Sequence, residues 1–600
     1  MLKIRWTEAG ILTPNKNTAP MEKSHGELLL VLGLIGVGAL VRIVFLLQWS
    51  STPLFFSLYG DELNFHNSAL GLLGLGPEPG AFLYQPLVTF FLAGLYSLFG
   101  PDLVLPRILF VLFGLVNIYL LYGLGKQVGG TWVGRLSAAF AAVYGPFVFF
   151  EGQLLAPAMV VPLVTGALWS LIRAGHRKKI SLLLVSGVCS GLALMGRPNL
   201  LIVLPVAFIW WSVVAGTWRM RIIGAMVAAL GLVVGMSPSW IHNALKGDGL
   251  VPVSASTGHS FYLGNNPQAT GLFHVPKGEK IDASSHAAYI KSWKDLASAA
   301  RGRDLTLSEV SSYWLERGLQ WWKEHPGDAM ALLGKKLFLC INAEEMPIHH
   351  PYYAVQELAP ILGLLPGFGV VFPFAVLGVL LAWKGRQGLR LLALCAGVYL
   401  VGVSVFYVAD RYRILALPMI IPLAGAGVVT WSERIKHVGL RKTWWLMLVL
   451  LAVEIVVHVP VVSDMNRIKA RYGLRNLMGK SAADSGDFVS AEKFFLQAVK
   501  IAGPSHGSVA RENLGILAEK RGELQRALKL YGQAALMDSE SRSARVHMAR
   551  LYEKLGKFDD AIERWRQVAK LSSDPLIGLE QIERLQKLKQ KHTDGKIIDQ

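Results

Sequence analysis

Long apolar runs alternate with short basic connections over most of the chain, and after about Asp464 the pattern becomes charged, alanine-rich and helical in period. A helix needs about 20 apolar residues to cross roughly 30 Å of hydrocarbon. On that criterion the chain offers about eleven spans, at 27–48, 103–125, 133–150, 154–172, 180–196, 199–217, 222–242, 360–383, 389–408, 414–432 and 443–462. The apolar run from Leu87 to Phe99 is shorter and predicts a helix lying at the membrane surface. Residues 1–26 are polar and basic. The run from Leu28 to Leu47 is longer than a secretory signal core, which predicts an uncleaved first span. Two long polar stretches, 49–102 and 242–359, interrupt the membrane pattern. The second holds a turn cluster, Gly264-Asn265-Asn266-Pro267, and predicts a helix from Leu307 to Glu324.

Composition agrees with a bilayer as solvent: 52% of the 600 residues are hydrophobic and only 17% charged. The formal net charge of +19 would suggest nucleic acid in a soluble protein. Here the basic residues fall mainly in short connections, where they set topology, and no nucleic-acid-binding pattern competes. One set of connections carries Lys126, Arg135, Arg173, Arg177, Lys178, Lys179, Arg219 and Arg221, and further on Lys384, Arg386, Arg390, Arg434, Lys436, Arg441 and Lys442. The opposite set carries few, chiefly Arg107, Arg197, Arg411 and Arg413. The positive-inside rule then predicts a cytoplasmic N-terminus. An odd number of spans puts both long polar stretches and the C-terminal region outside, in a cell membrane.

Behind Asp464 a repeat of about 34 residues is visible. Gly479, Gly515 and Ala549 are each followed seven residues later by Gly486, Gly522 and Gly556, and five residues beyond by Ala491, Ala527 and Ala561. The aromatics Phe495, Tyr531 and Trp565 follow, then Ala498, Ala534 and Val568. This resembles the tetratricopeptide repeat, with small residues where paired helices touch and bulky ones filling the gap to the next pair. The expected fold is therefore all-α: a polytopic membrane bundle over 27–463 with outer loops 49–102 and 242–359, then an α-solenoid over 464–600.

Acidic residues are scarce in the membrane part, so each is informative. Asp61 and Glu62 lie in the first outer loop, and Glu151 falls at the outer end of a span. The predicted topology brings all three to one face. Carboxylates at a membrane face suit sugar transfer from a polyprenyl phosphate. The phosphate leaves readily, a base is needed for the acceptor hydroxyl, and positive charge is needed for the phosphate. Asp61 is the candidate base, and Arg197, Arg411 and Arg413 sit at outer span ends where a lipid phosphate would lie. Gly264-Asn265-Asn266 reads equally as a sugar- or phosphate-contacting turn or as ordinary turn chemistry. Trp314, Trp321 and Trp322 read as interfacial anchors before sugar platforms. Cys189, Cys340 and Cys395 cannot form a disulfide framework. His66, His242, His259 and His349-His350 match no metal-ligand spacing and read as polar loop residues.

The first 240 residues resemble the C-type glycosyltransferase superfamily, in its protein O-mannosyltransferase and aminoarabinose-transferase-like branch. The resemblance is carried by Asp61-Glu62, Tyr84-Gln85-Pro86, Pro106-Arg107 and Gly196-Arg197-Pro198-Asn199, and further on by Gly258 to Pro267 and Asp410-Arg411-Tyr412-Arg413. It implies a role for Asp61 in acceptor activation or substrate binding, with Glu62 beside it. Substrate contacts are expected from Glu151, Arg197, Tyr262, Asn265, Arg411 and Arg413. The chain departs from the branch at Gln85, where a lysine is usual, and near Pro157-Ala158, where an acid is often found. A divalent cation therefore stays open as a cofactor. The expectation is an extracytoplasmic glycosyltransferase using a polyprenyl-phosphate sugar and a glycan, lipid or protein acceptor, with the repeats recruiting acceptor or partner. A lipid-linked-saccharide transporter is the first alternative, but no internal symmetry among the spans supports it. A non-catalytic scaffold is the second.

Overall fold

The computed structural model describes residues 20–82, 85–246, 256–276, 281, 286–383, 386–503, 506–571 and 576–598. Tyr84, Lys384 and most of the N-terminal segment fall outside the described residues. Among the described residues the chain is helical with no strand, apart from one isolated bridge between Leu272 and Val408.

Among the described residues seven helices are long and apolar enough to cross a membrane: His25–Ser50, Val104–Gly129, Pro157–Arg177, Trp218–Leu245, Pro360–Leu381, Gln387–Val405 and Asp410–Val438. An eighth span is formed if Thr131–Val143 and Gly145–Glu151 count as one path bent by 53°. The remaining three expected spans fall short for identifiable reasons. Ser181–Gly196 has 16 residues, which at about 1.5 Å each does not reach across the hydrocarbon. The segment 198–214 divides into a tight turn, Pro198–Val203, and the helix Leu204–Val214. Leu440–Val457 carries Arg441, Lys442 and Glu454. The chain is thus a multi-pass membrane protein with at least seven apolar spans. Leu87–Phe99 is a separate short apolar helix.

The helix Leu307–Glu324 begins with a capping box in which Thr306 and Glu309 satisfy each other's backbone amides. It packs with Thr257–Gly264 and His286–Arg301 around a second apolar core holding Tyr262, Leu263, Trp293, Trp314 and Tyr407. Trp314 is fully buried there and its indole N–H donates to Trp293 O at 3.2 Å. The anchoring expectation for Trp314 is therefore corrected: an aromatic cluster between loop helices, not the bilayer, takes up its surface.

The last part of the chain follows the repeat. Helix pairs Asp464–Asp484/Phe488–Ala502, Ser508–Lys520/Leu524–Met537 and Arg542–Lys554/Phe558–Leu571 stack in order, with Leu576–Ile598 closing the array. Gly486, Gly522 and Gly556 turn between the paired helices at φ of 85°, 80° and 68°, a region that glycine enters without strain. Phe495 lies against Gly479, and Tyr531 against Gly515, where any side chain would collide with the ring. The first of these helices rests on both long connections of the membrane part, through Pro53 on one and Glu344 and Glu357 on the other. The two connections and the repeats therefore meet on one side of the bundle.

Candidate active site

Gly60 turns the chain at φ 59° into the helix Asp61–Leu72, so Asp61 and Glu62 occupy its first turn, where the exposed amides favour negative charge. A Cβ at position 60 would lie 2.6 Å from the ring of His349. This close approach brings the later connection onto the first. Asp61 forms an ion pair with Arg411, and the same Oδ2 lies 3.3 Å from Nε2 of His349. Glu62 accepts from the Leu154 amide at 2.7 Å, and its other oxygen is 3.4 Å from Nε2 of His350. Two adjacent acids thus face two adjacent histidines. Burial alone would raise the Asp61 carboxyl; Arg411, His349 and Arg197 outweigh it and hold the group well below the usual carboxylate range. Glu62 is also lowered against the pull of burial, by His350, Arg107 and the Leu154 amide.

Arg197 ends the helix Ser181–Gly196 and lies over the Tyr412 ring at 4.8 Å. Arg411 approaches the same ring at 5.3 Å. Arg197 is buried, its Nε has no hydrogen-bond partner, and no carboxylate pairs with it among the described residues. It lines a cavity of about 250 Å³ with Gln85, Asn199, Thr257, Ser260 and Tyr412. The cavity walls also include Leu201, Val403 and Phe406, so one guanidinium faces a largely apolar space.

The other residues expected at the site are held elsewhere. Glu151 turns inward to Arg42, with Oε2 at 2.5 Å from Nε and Oε1 at 3.0 Å from Nη2. Arg42 also donates to Gly38 O and Ala142 O, so the pair is buried and saturated. Arg413 pairs with Glu345 at 2.7 Å and donates to Asn342 O. Asn265 accepts from Trp322 at 2.8 Å and from Lys336 at 2.9 Å, and donates to Phe261 O and Val405 O, both at 2.8 Å. Both ends of its side chain are therefore engaged within the fold. Tyr262 is buried in the aromatic core with Arg317 over its ring at 4.9 Å. The structure brings together Asp61, Glu62, Arg197 and Arg411, and leaves Glu151, Tyr262, Asn265 and Arg413 in supporting positions.

Sequence reasoning missed the partners. His349-His350 read as loop residues, although an adjacent pair matching Asp61-Glu62 was the available signal. Arg42 was passed over inside an apolar span, where a lone charge calls for a partner. Lys336 and Glu345 gave no signal, because only the folded chain sets them beside Asn265 and Arg413.

Two expected results follow. Glu151→Gln leaves Arg42 without its anion, a change that costs about 3–5 kcal/mol for a buried pair. The variant should lose folded yield in detergent, whereas replacing both partners by Met should restore most of it. Recovery of the single variant at wild-type yield would return Glu151 to the list of substrate contacts. The second result concerns Lys336, which burial lowers to about 7. An unfolded lysine titrates near 10.4, so from about pH 7 to about 10 the unfolded chain holds the extra proton and stability rises with pH. Lys336→Met should therefore be more stable than wild type at pH 7, by about 2–5 kcal/mol, with the difference shrinking towards pH 10 in thermal-shift assays.

Among the described residues no group of three or more His, Cys, Asp or Glu side chains is arranged to hold a metal ion.

Fold and site together define a polytopic helical membrane protein with a buried acid–arginine centre on the side that also carries its repeats. Residues 79–242 match the family model described as dolichyl-phosphate-mannose-protein mannosyltransferase, and residues 518–575 match a tetratricopeptide-repeat model. The chain thus carries a glycosyltransferase-family domain and C-terminal tetratricopeptide repeats. Among solved structures it is similar to the archaeal oligosaccharyltransferase AglB from Archaeoglobus fulgidus, in complex with an inhibitory peptide and a dolichol-phosphate. The identity is 12% and the TM-score 0.41, over 79% of this chain and 60% of that one. A second similar structure is ArnT from Cupriavidus metallidurans bound to undecaprenyl phosphate, at 13% identity and TM-score 0.36 over 91% and 81%. A curated relative is the Photosystem I assembly protein Ycf3 of Parasynechococcus marenigrum (strain WH8102). It is 26% identical over 117 residues, 17% of this chain and 68% of the relative.

Proposed function

We propose that the protein is an integral-membrane glycosyltransferase that moves a sugar from a polyprenyl-phosphate donor to an acceptor on the extracytoplasmic side. The observation that carries this reading is Arg197, a buried guanidinium with no ion-paired carboxylate among the described residues, facing a largely apolar cavity beside the Asp61–Arg411 pair. A lipid phosphate supplies the missing anion and its chain suits the apolar walls. The family match over residues 79–242 points to the same chemistry.

In the reaction the anomeric carbon–oxygen bond to the phosphate breaks and a bond to the acceptor oxygen forms. Arg197 takes the charge that develops on the leaving phosphate. Asp61, fixed by Arg411, receives the hydrogen bond of the acceptor hydroxyl and takes its proton as the new bond forms. His349, 3.3 Å away, is the next group able to receive that proton. Glu62 holds the Leu154 amide and His350, which keeps the two connections together. The repeats bring an acceptor or a partner protein to the same face.

Purified protein incubated with polyprenyl-phosphate hexoses and pentoses should release polyprenyl phosphate from at least one of them, together with a glycosylated acceptor from a membrane extract. Absence of release from every donor would overturn the reading. Sidedness is a separate expected result: protease added to sealed right-side-out vesicles should remove the residues after Asp464. Full protection of that segment would place the repeats, and the acids beneath them, on the cytoplasmic side.

A further inference from the structure

Two loops from distant parts of the chain build the acid–histidine pairs, and one helix of the repeat array touches both. On the first loop, Ser481 Oγ donates to Pro53 O at 3.0 Å, eight residues before Asp61. On the second, Arg467 pairs with Glu344 at 2.8 Å, while Arg471 and Arg475 both pair with Glu357, the latter at 3.4 Å. Glu344 lies five residues before His349, and Glu357 seven residues after His350. The anchor points therefore flank the histidines on either side. Arg467, Arg471 and Arg475 are spaced by four on the helix Asp464–Asp484 and form one stripe. Leu474 and Met478 of the same helix are buried in the membrane part's main apolar core, so the helix is packed and not merely tethered.

The second loop is also fixed from within, by Glu345 on Arg413 and by the Asp410 amide donating to Met346 O at 2.9 Å. Those contacts tie its first half to the segment that bears Arg411. Among the described residues the ion-pair partners of Glu357 are the two arginines of the repeat helix. Pro351 follows His350 directly, and its carbonyl accepts from the Val355 amide at 2.9 Å, so the short helix Tyr352–Val355 is all that separates the histidines from Glu357 and its neighbour Gln356.

We infer that Arg467, Arg471 and Arg475 are positioning residues that hold His349 and His350 against Asp61 and Glu62, making the first repeat helix a structural part of the reaction centre. This rests on the reading that the acid–histidine pairs are that centre. A ligand that moves the repeat array would act on the site through Glu344 and Glu357.

The test uses the full-length protein in detergent, in four forms: wild type, Glu357→Gln, Glu357→Arg, and Glu357→Arg combined with Arg471→Glu and Arg475→Glu. Amide exchange over 342–359 and the rate of diethylpyrocarbonate modification of His349 and His350 are read by mass spectrometry. Charge reversal at Glu357 should raise both by about tenfold or more, and Glu357→Gln by roughly twofold to tenfold. The triple variant, which restores opposite charges, should return most of the protection. Cleavage of the repeats from the membrane part without any change at 342–359 would reduce the helix to a tether and overturn the inference. No change in any readout would overturn it as well. If Glu357→Arg does not accumulate, Glu357→Gln decides alone. Should exchange and modification respond while Asp61→Asn keeps full transfer activity, the positioning stands and the catalytic reading falls.

Discussion

Asp61→Asn should reduce sugar transfer by about a hundredfold to ten-thousandfold, the range spanned by loss of a general base. The substitution keeps the size of the side chain and a hydrogen bond to Arg411, but it leaves that guanidinium without its anion, so folded yield should fall and activity is read per folded molecule. The structure adds a constraint. Asp61 is ion-paired and held well below the usual carboxylate range, so it is ionised throughout neutral pH and its protonation does not limit activity there. Its contribution to folding is present above the unfolded value of about 3.9 and is lost as pH falls through the lower folded value. Asp61→Asn should therefore also flatten the acid limb of stability. Turnover per folded molecule within a few-fold of wild type would remove Asp61 from the mechanism. In that event His349→Gln becomes the informative variant, since His349 is the other group facing the same oxygen.

The helical class and the repeat were legible because each rests on local period. Apolar runs of span length and the small–glycine–alanine–aromatic register need no knowledge of the fold. The helix Leu307–Glu324 was legible for the same reason, from its apolar period alone. The count of spans was less so, because apolarity alone does not show that Ser181–Gly196 ends early at Arg197 or that a tight turn follows.

The site divides along the same line. Asp61 and Glu62 stand out as scarce acids in an outer loop and Arg197 and Arg411 as charges at span ends, and the fold places them together. Glu151 and Arg413 look much the same in sequence, yet each is paired with a group far away in the chain. Which of two similar charges is free is a property of packing. Arg197 and Arg413 make the point most directly: both are buried, both follow or precede an apolar helix, and only Arg413 has Glu345 against it.

That difference sets the second large effect. Arg197→Ala should lower the specificity constant for the polyprenyl-phosphate donor by thirtyfold to several-thousandfold, corresponding to about 2–5 kcal/mol for a desolvated charged contact. Lysine at the same position should recover part of it. It restores a positive charge but not the planar, paired donors that match phosphate oxygens, nor the stacking on Tyr412. Arg413→Ala should behave in the opposite way. It leaves Glu345 buried and unpaired, so folded yield falls while donor use per folded molecule stays near wild type. Arg411→Ala should resemble Asp61→Asn, because its guanidinium holds Asp61. The decisive comparison is donor specificity per folded molecule for Arg197→Ala against Arg413→Ala. Equal values for the two would mean that the cavity beside Arg197 does not hold the lipid phosphate.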